Sequence, residues 1–157
     1  MTEEVQRLNP GDVAPAFSLE DQNGVLRSSE ELLKQPLVLY FFPAAGSPGC
    51  TKEASDFESR LDEFQALGYQ IIGVSPDSVP RLKNFEESHE LSFTLLSDPE
   101  LVAHKAFGSW GEKNLYGRLY RGVLRSTMII RDGVMEHALY NVKATGHSNM
   151  LLKKLGA

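Results

Sequence analysis

Six residues without a charge or an amide side chain, Leu37-Val-Leu-Tyr-Phe-Phe42, run unbroken into Pro43. A short continuous apolar run of this kind fits a strand buried on both faces, in a sheet covered by helices on both sides. The residues that follow, as far as Ser75, support that arrangement. After Ala44-Ala-Gly46 comes Ser47-Pro48-Gly49-Cys50, and from Pro48 the apolar positions Cys50, Ala54, Phe57, Leu61 and Phe64 recur at helical spacing as far as Leu67. Gly68 ends that helix, and Gln70-Ile-Ile-Gly-Val-Ser75 reads as the next strand. The three pieces form a strand–helix–strand crossover, which implies two parallel strands.

The flanking sequence extends this nucleus. Phe17–Leu19 and Val25–Arg27 surround Asp21-Gln-Asn-Gly24, an N-terminal hairpin signal, and Ser28–Leu33 reads as a short capped helix. A helix is expected over Val79–His89 and a strand over Phe93–Leu96. Ser97-Asp98-Pro99 then opens a helix running to Ala106. Gly108 to Gly122, rich in glycine and aromatics, predicts an ordered loop with little regular structure. Leu124–Arg131 and Val134–Val142 pair around Asp132-Gly133. A final helix after Gly146-His147-Ser148 should pack Met150, Leu151, Leu152 and Leu155. No repeat or linker divides residues 1–157, so one α/β domain is expected, a mixed central sheet flanked by helices in a thioredoxin-like fold with an N-terminal β-hairpin.

Composition narrows the function. Apolar content of 41% with 24% charged residues is that of a soluble globular protein. A net charge of −5 argues against binding nucleic acid through its phosphates. The densest basic stretch, Lys113 to Arg125, reads as a solvated loop apart from Arg125. No apolar run reaches membrane-spanning length, and the acidic, polar start Met-Thr-Glu-Glu does not resemble a targeting signal. A single cysteine excludes an internal disulfide and fits the reducing cytoplasm. His89, His104, His137 and His147 are scattered without ligand spacing, so neither a metal nor another cofactor is expected.

The chemistry therefore centres on Cys50. Ser47 suits the helix cap and Pro48 its first position, which puts Cys50 in the first turn beside unpaired backbone N–H groups and the positive end of the helix dipole. Such features favour the thiolate, the nucleophilic form. Pro43 ends the strand and would limit water above the sulfur, while Ser47 can turn its hydroxyl toward the same pocket. Arg125 interrupts the apolar Gly122-Val-Leu-Arg-Ser-Thr-Met-Ile-Ile130, where a buried guanidinium requires a partner. Plainer readings stand beside these. The thiol could be a small core residue, Ser47 a cap alone, and Arg125 a strand-end residue reaching solvent.

Tyr40-Phe-Phe-Pro-Ala-Ala-Gly-Ser-Pro-Gly-Cys-Thr-Lys-Glu-Ala54 resembles the active-site segment of peroxiredoxins of the bacterioferritin comigratory protein, or PrxQ, subfamily. Pro43, Ser47 and Cys50 match its proline–serine/threonine–cysteine spacing. Gly122-Val-Leu-Arg-Ser-Thr127 resembles the segment that carries the family's arginine, here Arg125. Gly73–Ser78, Leu95–Pro99, Trp110–Lys113, Tyr116-Gly117 and Lys143–His147 are similar to further subfamily signatures. The resemblance implies a thiol peroxidase in which Cys50 attacks a peroxide and becomes a sulfenic acid. Ser47 and Arg125 would position the peroxide, and Pro43 would shield the intermediate. Glu53 matches a glutamate that orients the arginine, its plainer reading being a solvated helix residue. The resemblance implies a monomer, although members of the wider family also dimerise.

Ser55 departs from the pattern. Many subfamily members have a resolving cysteine there, others have one in the helix over Val79–His89, and this chain has neither. An external thiol would then resolve the sulfenic acid: thioredoxin, or else glutaredoxin or glutathione. Ser55 is either natural or a Cys→Ser replacement. The alternative function is a peroxide sensor or redox relay with little turnover of its own.

Overall fold

The computed structural model describes residues 6–115 and 117–156, so the Met-Thr-Glu-Glu start and Tyr116 of the Tyr116-Gly117 motif lie outside the described residues. Strand β3 (Leu37–Phe41) has all five residues buried, as its unbroken apolar run requires. It pairs in parallel with β4 (Gln70–Ser75) and antiparallel with β8 (Ser126–Arg131). β4 pairs in parallel with β5 (Thr94–Ser97). The hairpin β1 (Ser18–Asp21) and β2 (Leu26–Ser28) joins β5 at one side, and β9 (Val134–Leu139) closes the other. The seven strands run β2-β1-β5-β4-β3-β8-β9, a mixed sheet with β3 and β4 at its heart.

Alternation along β3 sends its side chains into two cores. Val38, Tyr40 and Phe42 pack with residues of four helices: α2 (Pro48–Ser59), α3 (Leu61–Ala66), α4 (Val79–Ser88) and α6 (His147–Lys154). Leu37, Leu39 and Phe41 pack on the opposite face with Leu32 of α1 (Ser29–Leu32) and Ala103 of α5 (Val102–Ala106), together with Phe107. Gly73 on β4 makes room in the first core. A Cβ there would stand 2.9 Å from the Tyr40 ring. No helix among the described residues is long and apolar enough to cross a membrane.

Several expectations need correction. The helix expected from Pro48 to Leu67 breaks at Arg60 (φ −119, ψ 14). Ser59 Oγ donates to the Asp56 carbonyl, the acceptor that Arg60 N–H would use in a continuous helix, and Arg60 N–H turns to Phe57 O instead. The stretch Gly108–Gly122 is no loop: β6 (Trp110–Leu115) and β7 (Arg118–Val123) form a separate two-stranded sheet. Residues 118–121 of β7 are exposed, so no burial pattern marks them as strand. Helix α5 starts only at Val102, after Leu101 takes a left-handed conformation (φ 62). In α6, Leu151 and Leu152 are buried, but Met150 faces outward.

Residues 11–14 lie along the outer side of β9. Gly11 N–H donates to Met135 O, Met135 N–H to Asp12 O and Ala14 N–H to Gly133 O, with Val13 bridging Val134.

Candidate active site

The site is assembled where β3 hands over to α2. The strand ends at Phe41, Pro43 sits half-buried in the bend after it, and α2 begins at Pro48. Ser47 has the extended backbone of a cap residue (φ −68, ψ 151), and its carbonyl accepts from Thr51 N–H at 2.9 Å. Its hydroxyl does not cap the helix. It donates instead to Ala44 O at 2.9 Å, tightening the loop, while its lone pairs remain available as acceptors. Cys50 lies in the first turn of α2 and is 1% exposed.

Asp77 braces the loop from the next crossover. Its Oδ2 accepts from Ala45 N–H at 2.6 Å and from Ser75 Oγ at 2.8 Å, and Arg81 pairs with its other oxygen at 3.2 Å. The Gly73–Ser78 motif contains this residue, but sequence reasoning gave Asp77 no role.

Arg125 comes from the residue just before β8 and points into the site, its side chain 17% exposed. The strand-end reading is therefore right about its position and wrong about its direction. Nη2 donates to Cys50 Sγ at 3.3 Å and Nη1 to Glu53 Oε1 at 2.5 Å. Two planar N–H groups thus address sulfur and carboxylate together, a geometry suited to arginine. Gly49 leaves the space for this approach.

Glu53 is fully buried, so the solvated-helix reading of that residue fails. It lies three residues after Cys50 and hence on the same helix face. Burial pushes its carboxyl up to about 7 even though Arg125 opposes the rise. Among the described residues its Oε2 has no hydrogen-bond partner, and neither has Tyr40 Oη, also buried. Burial first, then the charges of Glu53 and Cys50, hold the Tyr40 hydroxyl well above its usual range. Tyr40 was legible only as a core residue. Its phase in β3, shared with Val38 and Phe42, is the signal that it faces α2.

Cys50, Arg125 and Glu53 are therefore joined by direct contacts. Ser47 and Pro43 sit in the connecting loop with no direct bond to the sulfur among the described contacts. The arrangement can hold a negatively charged or polarised sulfur against a fixed cation and present further N–H donors to an incoming oxygen.

Comparison with known proteins matches residues 10–138 to the AhpC/TSA family. A Mycobacterium tuberculosis (strain CDC 1551 / Oshkosh) protein bearing a peroxiredoxin name is 45% identical over 150 residues, 95% of this chain and 96% of the relative. Peroxiredoxin Bcp of Escherichia coli (strain K12) is 38% identical over 149 residues, 94% and 96% of the two chains. The solved bacterioferritin comigratory protein of Xanthomonas campestris, described for its alkyl peroxide reduction activity, superposes with a TM-score of 0.84 at 33% identity, covering 97% of each chain.

Proposed function

Because this chain belongs to the AhpC/TSA family and is a peroxiredoxin, a thiol peroxidase, we propose that Cys50 is its peroxidatic residue and reduces hydrogen peroxide and small organic hydroperoxides. The observation that carries the assignment is the single guanidinium of Arg125 shared between Cys50 Sγ and buried Glu53. The Cys50 thiolate attacks the terminal peroxide oxygen. A sulfur–oxygen bond forms, the O–O bond breaks, and the departing hydroxide or alkoxide takes a proton to leave as water or alcohol. Arg125 opposes the charge that develops on the oxygens. Ser47, through its hydroxyl, helps to position the peroxide. Pro43 limits water at the sulfur.

Ser55 lies on the exposed side of α2, away from buried Cys50, and the chain contains no second cysteine. An external thiol therefore completes the cycle. It displaces water from the sulfenic acid to form a mixed disulfide, and a second thiol releases Cys50 and leaves as a disulfide. Thioredoxin, glutaredoxin and glutathione are the reductants to compare.

Stopped-flow peroxide reduction by the full chain and by Cys50→Ser tests the assignment. Rapid consumption that vanishes in Cys50→Ser, with turnover when a reductant is supplied, is expected. Consumption unaffected by the substitution overturns it. Rapid single oxidation with no turnover under any of the three thiols identifies a peroxide sensor instead.

A further inference from the structure

His147 closes the Lys143-Ala-Thr-Gly-His147 motif, and the peroxide chemistry gives it no part. Its ring is 2% exposed and touches both elements that build the site. Nε2 lies 2.6 Å from Thr127 Oγ1, on β8. The ring meets Phe57 of α2 edge-on, with centroids 5.9 Å apart at 84°. The next residue continues the link, as Ser148 N–H donates to Asp56 Oδ2 at 3.0 Å. The start of α6 is thus attached to α2 twice and to β8 once.

The positions of these attachments matter. Thr127, the second residue of β8, is two residues beyond Arg125, which leads into the strand. Thr127 stands opposite Tyr40 in the β3–β8 register. Phe57 is four residues beyond Glu53 and seven beyond Cys50, along one side of α2. Arg125 must span from β8 to α2 to reach both Sγ and Oε1. The spacing of those two elements therefore decides whether the guanidinium meets its partners, and the His147 ring fills that space. The imidazole does this as a neutral group, because burial and nearby Arg125 disfavour its protonated form.

We propose that the Thr127–His147 pair is a positioning clamp for Arg125, setting the distance between β8 and α2 at which the guanidinium engages Cys50. The clamp touches no reacting atom and acts through Arg125 alone. It rests on the peroxidase assignment of Cys50.

The test is the second-order rate of Cys50 oxidation by hydrogen peroxide in the intact chain, with Cys50→Ser as control. Thr127→Val removes the hydroxyl at nearly constant shape and should slow oxidation about tenfold, as small displacements of positioned groups do. Thr127→Ser keeps the hydroxyl and should restore the rate. Thr127→Val with His147→Phe removes both polar partners, so stability recovers while the rate stays low. In an Arg125→Lys background, Thr127→Val should change the rate less than about twofold, since the clamped guanidinium is already gone. A wild-type rate in Thr127→Val overturns the clamp, as does a full rate in the double variant. A tenfold loss that persists in the Arg125→Lys background means that the pair acts other than through Arg125 and also overturns it. If Cys50→Ser consumes peroxide as fast as the parent chain, the peroxidase assignment itself fails, a result distinct from all of these.

Discussion

A Cβ on Gly49 would stand 3.2 Å from Arg125 Nη2, the nitrogen that donates to Cys50. The residue preceding Cys50 is small where a guanidinium passes over it. Gly49→Ala sets two effects against each other. Alanine is better than glycine in a helix by roughly 1 kcal/mol, yet the methyl pushes Nη2 a few tenths of an ångström away. Unfolding should show unchanged or slightly raised stability, while the peroxide rate falls about three- to tenfold. Equal rates in the two proteins would remove Gly49 from the account of the site.

Buried Glu53 ties stability to pH. Its folded carboxyl titrates near 7, above the ordinary 4.5, so its contribution is complete below 4.5 and is lost as pH rises to 7. The loss is on the order of 3 kcal/mol. Glu53→Gln has no such term. Relative to the parent chain it should gain about that much between pH 4.5 and 8 in denaturant titrations. A constant difference across that range contradicts the assignment.

His147 acts with the opposite sign. Burial lowers it from 6.5 to about 4, so its contribution is complete above 6.5 and is lost as pH falls to 4. His147→Gln should be less stable than the parent at pH 7, and the gap should close by about 3 kcal/mol at pH 4. Between 4.5 and 6.5 the Glu53 and His147 slopes oppose each other, so the parent chain should vary less with pH than either variant. Chemical denaturation of all three proteins across this range checks the pattern.

Tyr40 Oη is buried without a partner among the described residues. An unmet hydroxyl costs about 1–3 kcal/mol, and Phe keeps the ring that packs on Phe42, Phe57 and Phe93. Tyr40→Phe should therefore raise stability by about 1 kcal/mol. A loss of stability on urea unfolding would show that the hydroxyl has a partner after all.

Under the proposed peroxide cycle, Ser55→Cys should let the chain resolve its own sulfenic acid, at some structural cost. Positions five apart in a helix lie roughly 8–9 Å apart, beyond the disulfide limit of about 7 Å, and α2 is helical from Pro48 to Ser59. The first turns must unwind before the bond can close. Thioredoxin-coupled turnover should become faster and overoxidation slower than in the parent. Identical turnover and identical peroxide sensitivity would show that the external thiol already reaches Cys50 without hindrance.

Burial decides what was legible in the sequence. β3 and β4 were readable because both faces are covered, leaving a continuous apolar signature, and the Ser-Pro-Gly-Cys start of α2 carries its own punctuation. The β6–β7 hairpin was not readable, since residues 118–121 face solvent and their side chains record nothing about the strand. The break at Arg60 was hidden because Phe57, Leu61 and Phe64 keep helical spacing across it. At the site, residue type and spacing singled out Cys50 and Arg125 as candidates, and the fold puts the two in contact. Type and spacing could not reveal that the Ser47 hydroxyl turns back to Ala44, or that Asp77 holds the loop from another crossover, because both depend on contacts made only after the strands assemble.

The short arm at residues 11–14 has a consequence for how copies of this protein meet. β9 is the terminal strand of the sheet, and terminal strands offer unpaired backbone groups to any passing chain. Here that offer is partly withdrawn: at Gly133 and Met135 the groups are already matched by Gly11, Asp12 and Ala14 of the same molecule. Pairing of this kind leaves less of the edge open to another copy, so the arm bears on how the protein behaves in crowded solution and not on its chemistry with peroxide.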